Sequence, residues 1–309
     1  MMKFFNYGLL LFILLISLES KAQELSGFRL KAEYIPLSRY IPETKVGETG
    51  QKTEQKSDMR RLEGAISIPL SMKVDSLGRA KVWAVTLGGS YAKIKNQNYE
   101  VQLFPDELLN ASVGLMHLRP LGKSWNMLFM ASAGVYTDLK GISSQDILVM
   151  GGVIFIKQFN PNLALGVGPV VSNTFGIPMV LPAIFLNWKT NGKFQVMVNF
   201  PEKVELAYKA SEGIKLKVVA EVSAMTADVG RKDKAFLSYL QVISGFQPEF
   251  KLNKSLSLQL TAGASLYRSM EFTSRKLKDF FKDKGDVNPP HFETTAYGAV
   301  GLKWNLGKR

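Results

Sequence analysis

Residues 200–223 read "FPEKVELAYKASEGIKLKVVAEVS". Ser211-Glu212-Gly213 has the composition of a tight turn. Folding the chain back there sets Lys209 opposite Lys215 and Lys203 opposite Glu221. On the second arm Ile214, Leu216, Val218, Ala220 and Val222 alternate with Lys215, Lys217, Val219, Glu221 and Ser223. Alternate residues of a strand share a face. One face of this hairpin is therefore apolar, and the other carries Lys203, Glu205, Lys209, Lys215, Lys217 and Glu221. Such charges would be very costly in the dry core of a soluble sandwich. They are ordinary in the polar interior of a barrel whose apolar face meets lipid.

The same period of two runs through most of the chain. Leu256, Leu258, Leu260, Ala262, Ala264 and Leu266 alternate with small or polar residues, and so do Ala296, Gly298, Val300, Leu302, Trp304 and Leu306. The pattern predicts strands near 26–37, 61–74, 79–95, 108–118, 125–137, 147–158, 163–172, 179–189, 193–200, 203–210, 214–223, 235–252, 256–270 and 292–306. The connections alternate in length, with short turns at 75–78, 119–124, 160–162, 190–192, 211–213 and 253–255 and longer connections between them, the exception being Pro201-Glu202, a short connection on the opposite side. That alternation is the signature of an antiparallel, up-and-down transmembrane β-barrel, with the tight turns on the periplasmic side. Fourteen strands satisfy the even count. Twelve is the alternative, because 193–200 and 203–210 are short for a span of ~9–11 residues. All four tryptophans, Trp83, Trp125, Trp188 and Trp304, fall beside tight turns or at the end of the last strand. Trp favours the membrane interface, where its ring is apolar and its N–H needs a polar partner.

Composition narrows the chemistry. The chain has 309 residues, no cysteine, two histidines and a formal charge of +13. Thiolate zinc sites and disulfides are excluded, and neither a metal site nor a cofactor is expected. The first 22 residues pair Lys3 with an apolar run from Leu9 to Ile16 and a small-x-small site, Ser20-Lys21-Ala22. They read as a signal peptide cleaved near Ala22, with 23–309 as the barrel domain. The basic charge suits phosphate-bearing lipid, and an exported, membrane-facing β protein is not expected to bind nucleic acid. An enzyme is not expected either. His117 has Leu115 and Arg119 on its face and no hydroxyl nucleophile, and His291 sits beside Glu293 without recognisable motif spacing. Glycines in "GVG", 166–168, read as thin spots in a curved wall.

If the apolar positions face lipid, the interior carries Arg29, Lys31, Glu33, Arg61, Glu63 and Lys73 as well as the charges of the opening hairpin. A positive lumen would favour anionic solutes. A mixed-charge network bracing or filling the interior is the opposing reading, because Glu33, Glu63, Glu205 and Glu221 interleave with the cations. Two local features are less regular. In "MVLPAIFLNWKTNGKFQVMVNFP", 179–201, the hydrophobic phase favours a three-residue loop, Thr190-Asn191-Gly192. That loop pairs Trp188 with Phe194, puts Gly192 in the left-handed conformation, and leaves Pro182 requiring a strand end or bulge. In the 271–291 loop, Ser274 as N-cap and Gly285 as stop predict a short amphipathic helix carrying Leu277, Phe280 and Phe281, to pack on neighbouring loops, lie at the membrane surface or fold over the lumen.

The ending "SKAQ" of the signal, the 200–223 hairpin and the terminal "AYGAVGLKWNLGKR" resemble uncharacterised, domain-of-unknown-function outer-membrane β-barrel families of Gram-negative bacteria. The resemblance implies fold and location but no activity. The last aromatic, Trp304, is followed by Asn-Leu-Gly-Lys-Arg, a departure from the usual aromatic terminus that assists assembly. The expectation is an outer-membrane pore or binding barrel for small polar or anionic solutes. Its partners would be membrane lipid, lipopolysaccharide and the barrel assembly machinery. A non-conducting structural or lipid-interacting barrel is the alternative, and a membrane-embedded lipid hydrolase a third.

Overall fold

Period-two segments become strands that close on themselves. The computed structural model describes residues 27–45, 53–76, 78–100, 103–172, 179–190, 192–229, 235–274 and 287–305. The signal peptide and most of the predicted 274–285 helix lie outside the described residues; Ser274, its expected N-cap, ends a strand instead. Fourteen strands build the wall. They are β1 (Gly27–Ile41), β2 (Lys56–Val74), β3 (Ala80–Gln97), β4 (Glu107–Pro120), β5 (Trp125–Thr137), β6 (Ile147–Asn160) and β7 (Leu163–Ser172). They continue with β8 (Met179–Lys189), β9 (Phe194–Phe200), β10 (Lys203–Lys209), β11 (Ile214–Asp228), β12 (Ala235–Phe246), β13 (Leu256–Ser274) and β14 (Thr295–Asn305). Each pairs antiparallel with the next, and β14 returns to β1 from Gly27↔Asn305 to Tyr34↔Gly298. Closure leaves no free sheet edge around most of the ring, as a bilayer requires.

The outward face is apolar on strand after strand. Leu62, Val113, Val149, Val167, Leu206, Val218, Leu266 and Val300 are all exposed. Trp83, Trp125, Trp188 and Trp304 lie at the end of the barrel with the tight turns. The opening hairpin keeps its expected register, with Lys209↔Lys215 and Lys203↔Glu221.

Three local expectations change. The Asn-Gly hairpin pairs Trp188 with Val196 and Leu186 with Val198, two residues away from the expected register. A two-residue slip preserves which side chains face lipid, so the hydrophobic pattern cannot distinguish the two. The longer loop is fixed by Thr190, whose amide and hydroxyl both donate to the Phe194 carbonyl, at 3.0 and 3.1 Å. Gly192 stays out of the left-handed region. Second, Leu70 is an inserted bulge residue between Pro69↔Ala84 and Ser71↔Trp83. One extra residue reverses the faces beyond it. Lys73 therefore pairs with Lys81 on the outward face that carries Trp83, and does not line the lumen. Third, Pro248 interrupts the predicted 235–252 strand, and Glu249–Lys251 resumes the pairing beyond it.

Pro182 takes a place that the sequence left unresolved. It stands opposite Pro169. The hydrogen bond from Lys189 N to Asn162 O, 2.8 Å, sets the ladder phase so that the N–H each proline lacks would point away from the other. For Pro182 that direction is toward β9, whose pairing with β8 stops at Ile184↔Phe200. Proline here costs no ladder bond because this part of β8 is an edge.

Candidate functional site in the barrel interior

The interior is built from the alternate positions of every strand, and its two sides differ. On the side formed by β10–β14 and β1–β2, charges interlock. Glu33 on β1 meets Arg61 Nε at 2.5 Å and Lys31 at 3.3 Å, and accepts a hydrogen bond from the Tyr297 hydroxyl at 2.8 Å. Lys31 reaches across to Glu221 on β11, 3.2 Å away. Glu221 also meets Lys203 at 3.0 Å, and Lys203 meets Glu205 at 3.2 Å. Lys217 bridges Glu205 at 3.5 Å and Glu249 at 2.5 Å. Gln259 Nε2 donates to Glu249 at 2.7 Å. Arg61 is 4% exposed and also donates to Ser223 Oγ at 2.9 Å. Glu63 lies 3.8 Å from Arg61 but is half-exposed.

Other expected lumen residues stand apart from this network. Arg29 occupies the same face of β1, opposite Ala65 and Lys303. Lys209 pairs with Glu212 on the adjoining turn, and Lys215 lies opposite Lys209 and Glu249 near the tight-turn mouth. Glu249 and Tyr297 were not among the sequence candidates. Tyr297 was visible as a polar position in the alternation of β14. Glu249 was hidden because Pro248 breaks the parity of its strand.

Toward the long-loop end, an apolar cluster replaces the charges. Ile35, Tyr40, Met59, Ile94, Leu108, Met225, Leu237, Tyr239, Met270 and Phe292 are all buried in it. Arg268 enters this cluster, its guanidinium 4.1 Å from the centre of the Phe292 ring and donating to Ser38 Oγ at 2.6 Å and Ser57 O at 2.7 Å.

The distal end of β11 crosses the bore. Met225, Thr226, Ala227 and Asp228 are buried on both faces, so the alternation ends there. Asp228 forms a parallel bridge to Thr137 on β5. With its amide nitrogen toward Thr226, Asn110 of β4 donates to the Thr226 carbonyl at 2.8 Å and accepts from the Thr226 N–H at 3.1 Å. Ser90 Oγ on β3 donates to Met225 Sδ at 3.6 Å. Strands β3, β4 and β5 lie across the ring from β11, so these contacts pinch the barrel at its long-loop end.

Across the lumen from the charged network, β5–β9 present a different surface. Their inward residues include Leu128, Met130, Met150, Ile156, Leu181 and Phe185, and these are half-buried. Strands β6–β8 are thus largely apolar on both faces. The "GVG" glycines belong to this wall. A Cβ on Gly168 would lie 1.8 Å from the Val153 carbonyl oxygen, so only glycine permits the approach of β7 to β6.

The histidines sit elsewhere. His117 stacks on Trp83 at 3.9 Å between ring centres, with Nδ1 3.0 Å from the Val82 carbonyl. His291 lines a surface pocket of about 640 Å³, with Nδ1 2.9 Å from the Pro289 carbonyl. A second pocket of about 600 Å³, lined by Asp58, Arg60, Lys93, Asp106 and Asp138 among others, lies among the long loops.

Residues 18–305 match the family described as Domain of unknown function (DUF6268). The chain belongs to that family. No curated protein matches it. Among solved structures the DUF6268 chain is similar to the NanC porin, at 8% identity and a TM-score of 0.34, covering 90% of this chain and 100% of that one. It is similar to the KdgM porin at 9% identity and 0.31, covering 89% and 98%. It is also similar to the Pseudomonas putida toluene transporter TodX at 9% identity and 0.35, covering 94% and 93%.

Proposed function

We propose that this DUF6268 protein is an outer-membrane barrel that binds a small molecule within a closed interior and does not conduct an open stream of solute. The carrying observation is the course of β11 across the bore, held by the Asp228–Thr137 bridge and by Asn110 on the Thr226 peptide. The apolar belt, the tryptophans beside the tight turns and the signal-like N-terminus support placement in the outer membrane, among lipid and lipopolysaccharide. Delivery by the barrel assembly machinery follows from that placement.

Preference for anions is not part of the proposal. Lys31, Arg61, Lys203 and Lys217 each stand within 4.0 Å of a carboxylate. Matched charges brace a wall; they do not make the positive ring that selects anions. The half-buried apolar side, where no such network ties the side chains together, is where we place the guest.

Planar-bilayer recording of refolded protein tests this reading. The expected record is no steady ohmic conductance from the wild type. A stable open level at low voltage would refute the closed interior.

A further inference from the structure

The barrel wall is not equally tall all the way round. Strands β9 and β10 have 7 residues each. At ~3.3 Å per residue and a tilt near 40°, each rises roughly 18 Å, against the ~25 Å apolar band of an outer-membrane barrel. The foot of the hairpin is at the tryptophan rim, where Val196 pairs with Trp188. Its crest, Phe200-Pro201-Glu202-Lys203, therefore lies inside the hydrocarbon zone. Above that crest, among the described residues, no strand stands between β8 and β11.

The flanks of this notch suit an apolar occupant. On β8 the backbone positions directed into it are Val180 and Pro182, and Pro182 has no N–H to leave unsatisfied. On β11 the Val222 amide is taken by Glu202 O at 2.8 Å, the Thr226 peptide by Asn110, and Asp228 by its bridge to Thr137. The bend of β11 thus turns a polar edge inward. Behind the notch lies the half-buried surface of Met130, Met150, Leu181 and Phe185. Outside it lies the lipid-facing belt, with Val180 71% exposed. Apolar side chains thus stand on both sides of the notch, Val180 outside it and Leu181, Phe185, Met150 and Met130 behind it, while Glu202 on the hairpin crest forms its floor.

We propose that the notch is a lateral portal through which an acyl chain from the bilayer enters the apolar side of the barrel. The proposal rests on the closed-interior reading and names its guest. The portal differs from an axial pore in that the guest never crosses the long-loop mouth.

The absence of cysteine permits a direct test. Single nitroxide labels at Leu181→Cys and Met150→Cys report the interior in phosphatidylcholine vesicles. Val180→Cys reports lipid and Lys193→Cys reports water, and a heat-modifiable gel shift confirms folding of each variant. The expected result is relaxation at both interior sites dominated by oxygen, matching Val180→Cys and several-fold above its relaxation by a water-soluble nickel chelate. Nickel-dominated relaxation, as at Lys193→Cys, would mean a water-filled compartment and would overturn the portal. Low accessibility to both reagents would mean a sealed void and would overturn it too. Steady wild-type conductance would instead sink the closed-interior reading, so the two failures are distinguishable.

Discussion

Replacing Glu33 with alanine should expose how the interior is held together. Glu33 is 5% exposed and serves Arg61, Lys31 and Tyr297 at once. In the variant, Arg61 keeps Ser223 and the more distant Glu63 but loses its buried counter-ion. Breaking a buried ion pair by removing one partner costs ~3–5 kcal/mol. The Tyr297 hydroxyl also loses its acceptor, a loss of ~1–3 kcal/mol when the group stays buried. The two losses share one network and do not add, so the expected destabilisation is about 4 kcal/mol. Glu63→Ala is the internal comparison. It meets the same Arg61, but at 3.8 Å and with its side chain 45% exposed. Solvent screening limits that pair to ~0–1 kcal/mol. Equilibrium unfolding in guanidinium of barrels refolded into vesicles, followed by tryptophan emission, measures both. Glu33→Gln, which retains an acceptor for Tyr297, should fall between them. If Glu33→Ala cost no more than Glu63→Ala, the interior would be hydrated at Glu33, and the argument for a filled charged side would fail.

Other perturbations address separate parts of the structure. Asn110→Ala removes the clasp on the Thr226 peptide and should introduce current bursts absent from the wild type; an unchanged quiet trace would show that the clasp does not hold β11 across the bore. Val167→Arg places a charge on the lipid face of β7 and should destabilise by ~2–4 kcal/mol if near the bilayer midplane, whereas Gln195→Arg on the inward face of β9 should cost far less. Gly168→Ala forces a Cβ onto the Val153 carbonyl and should abolish the heat-modifiable gel shift or sharply lower refolding yield. His117→Phe preserves a stacked ring and should leave stability and Trp83 emission near wild type, whereas His117→Ala should shift that emission; loss of phospholipid turnover in either variant would instead favour the hydrolase reading.

Alternation made much of the barrel legible. A strand has only two faces, and one of them meets hydrocarbon here, so each run such as Ile214–Val222 declares its own orientation. The turn at Ser211–Gly213 was legible because the charges on both arms had to share one side. The Asn-Gly turn was not, since registers two residues apart bury the same side chains. Lys73 was misplaced because a bulge at Leu70 leaves no compositional mark, yet it reverses every face beyond it. Glu249 was missed for a related reason, with Pro248 interrupting the count.

The sequence by itself determined the sidedness of the wall and the residue types available to the interior, and narrowed the strand number to fourteen or twelve, because these follow from period two and turn spacing, which are local. Tertiary structure decided what those residues do. Lys31 meets Glu221, Arg61 meets Ser223 and Asn110 meets Thr226 only because the ring closes and β11 bends across it. No local pattern in Met225–Asp228 encodes that bend; its contacts lie on strands far away in the chain. The same bend, together with the short β9–β10 hairpin, converts a uniform wall into one with an interlocked charged side and an apolar side and, among the described residues, no strand above the hairpin between β8 and β11.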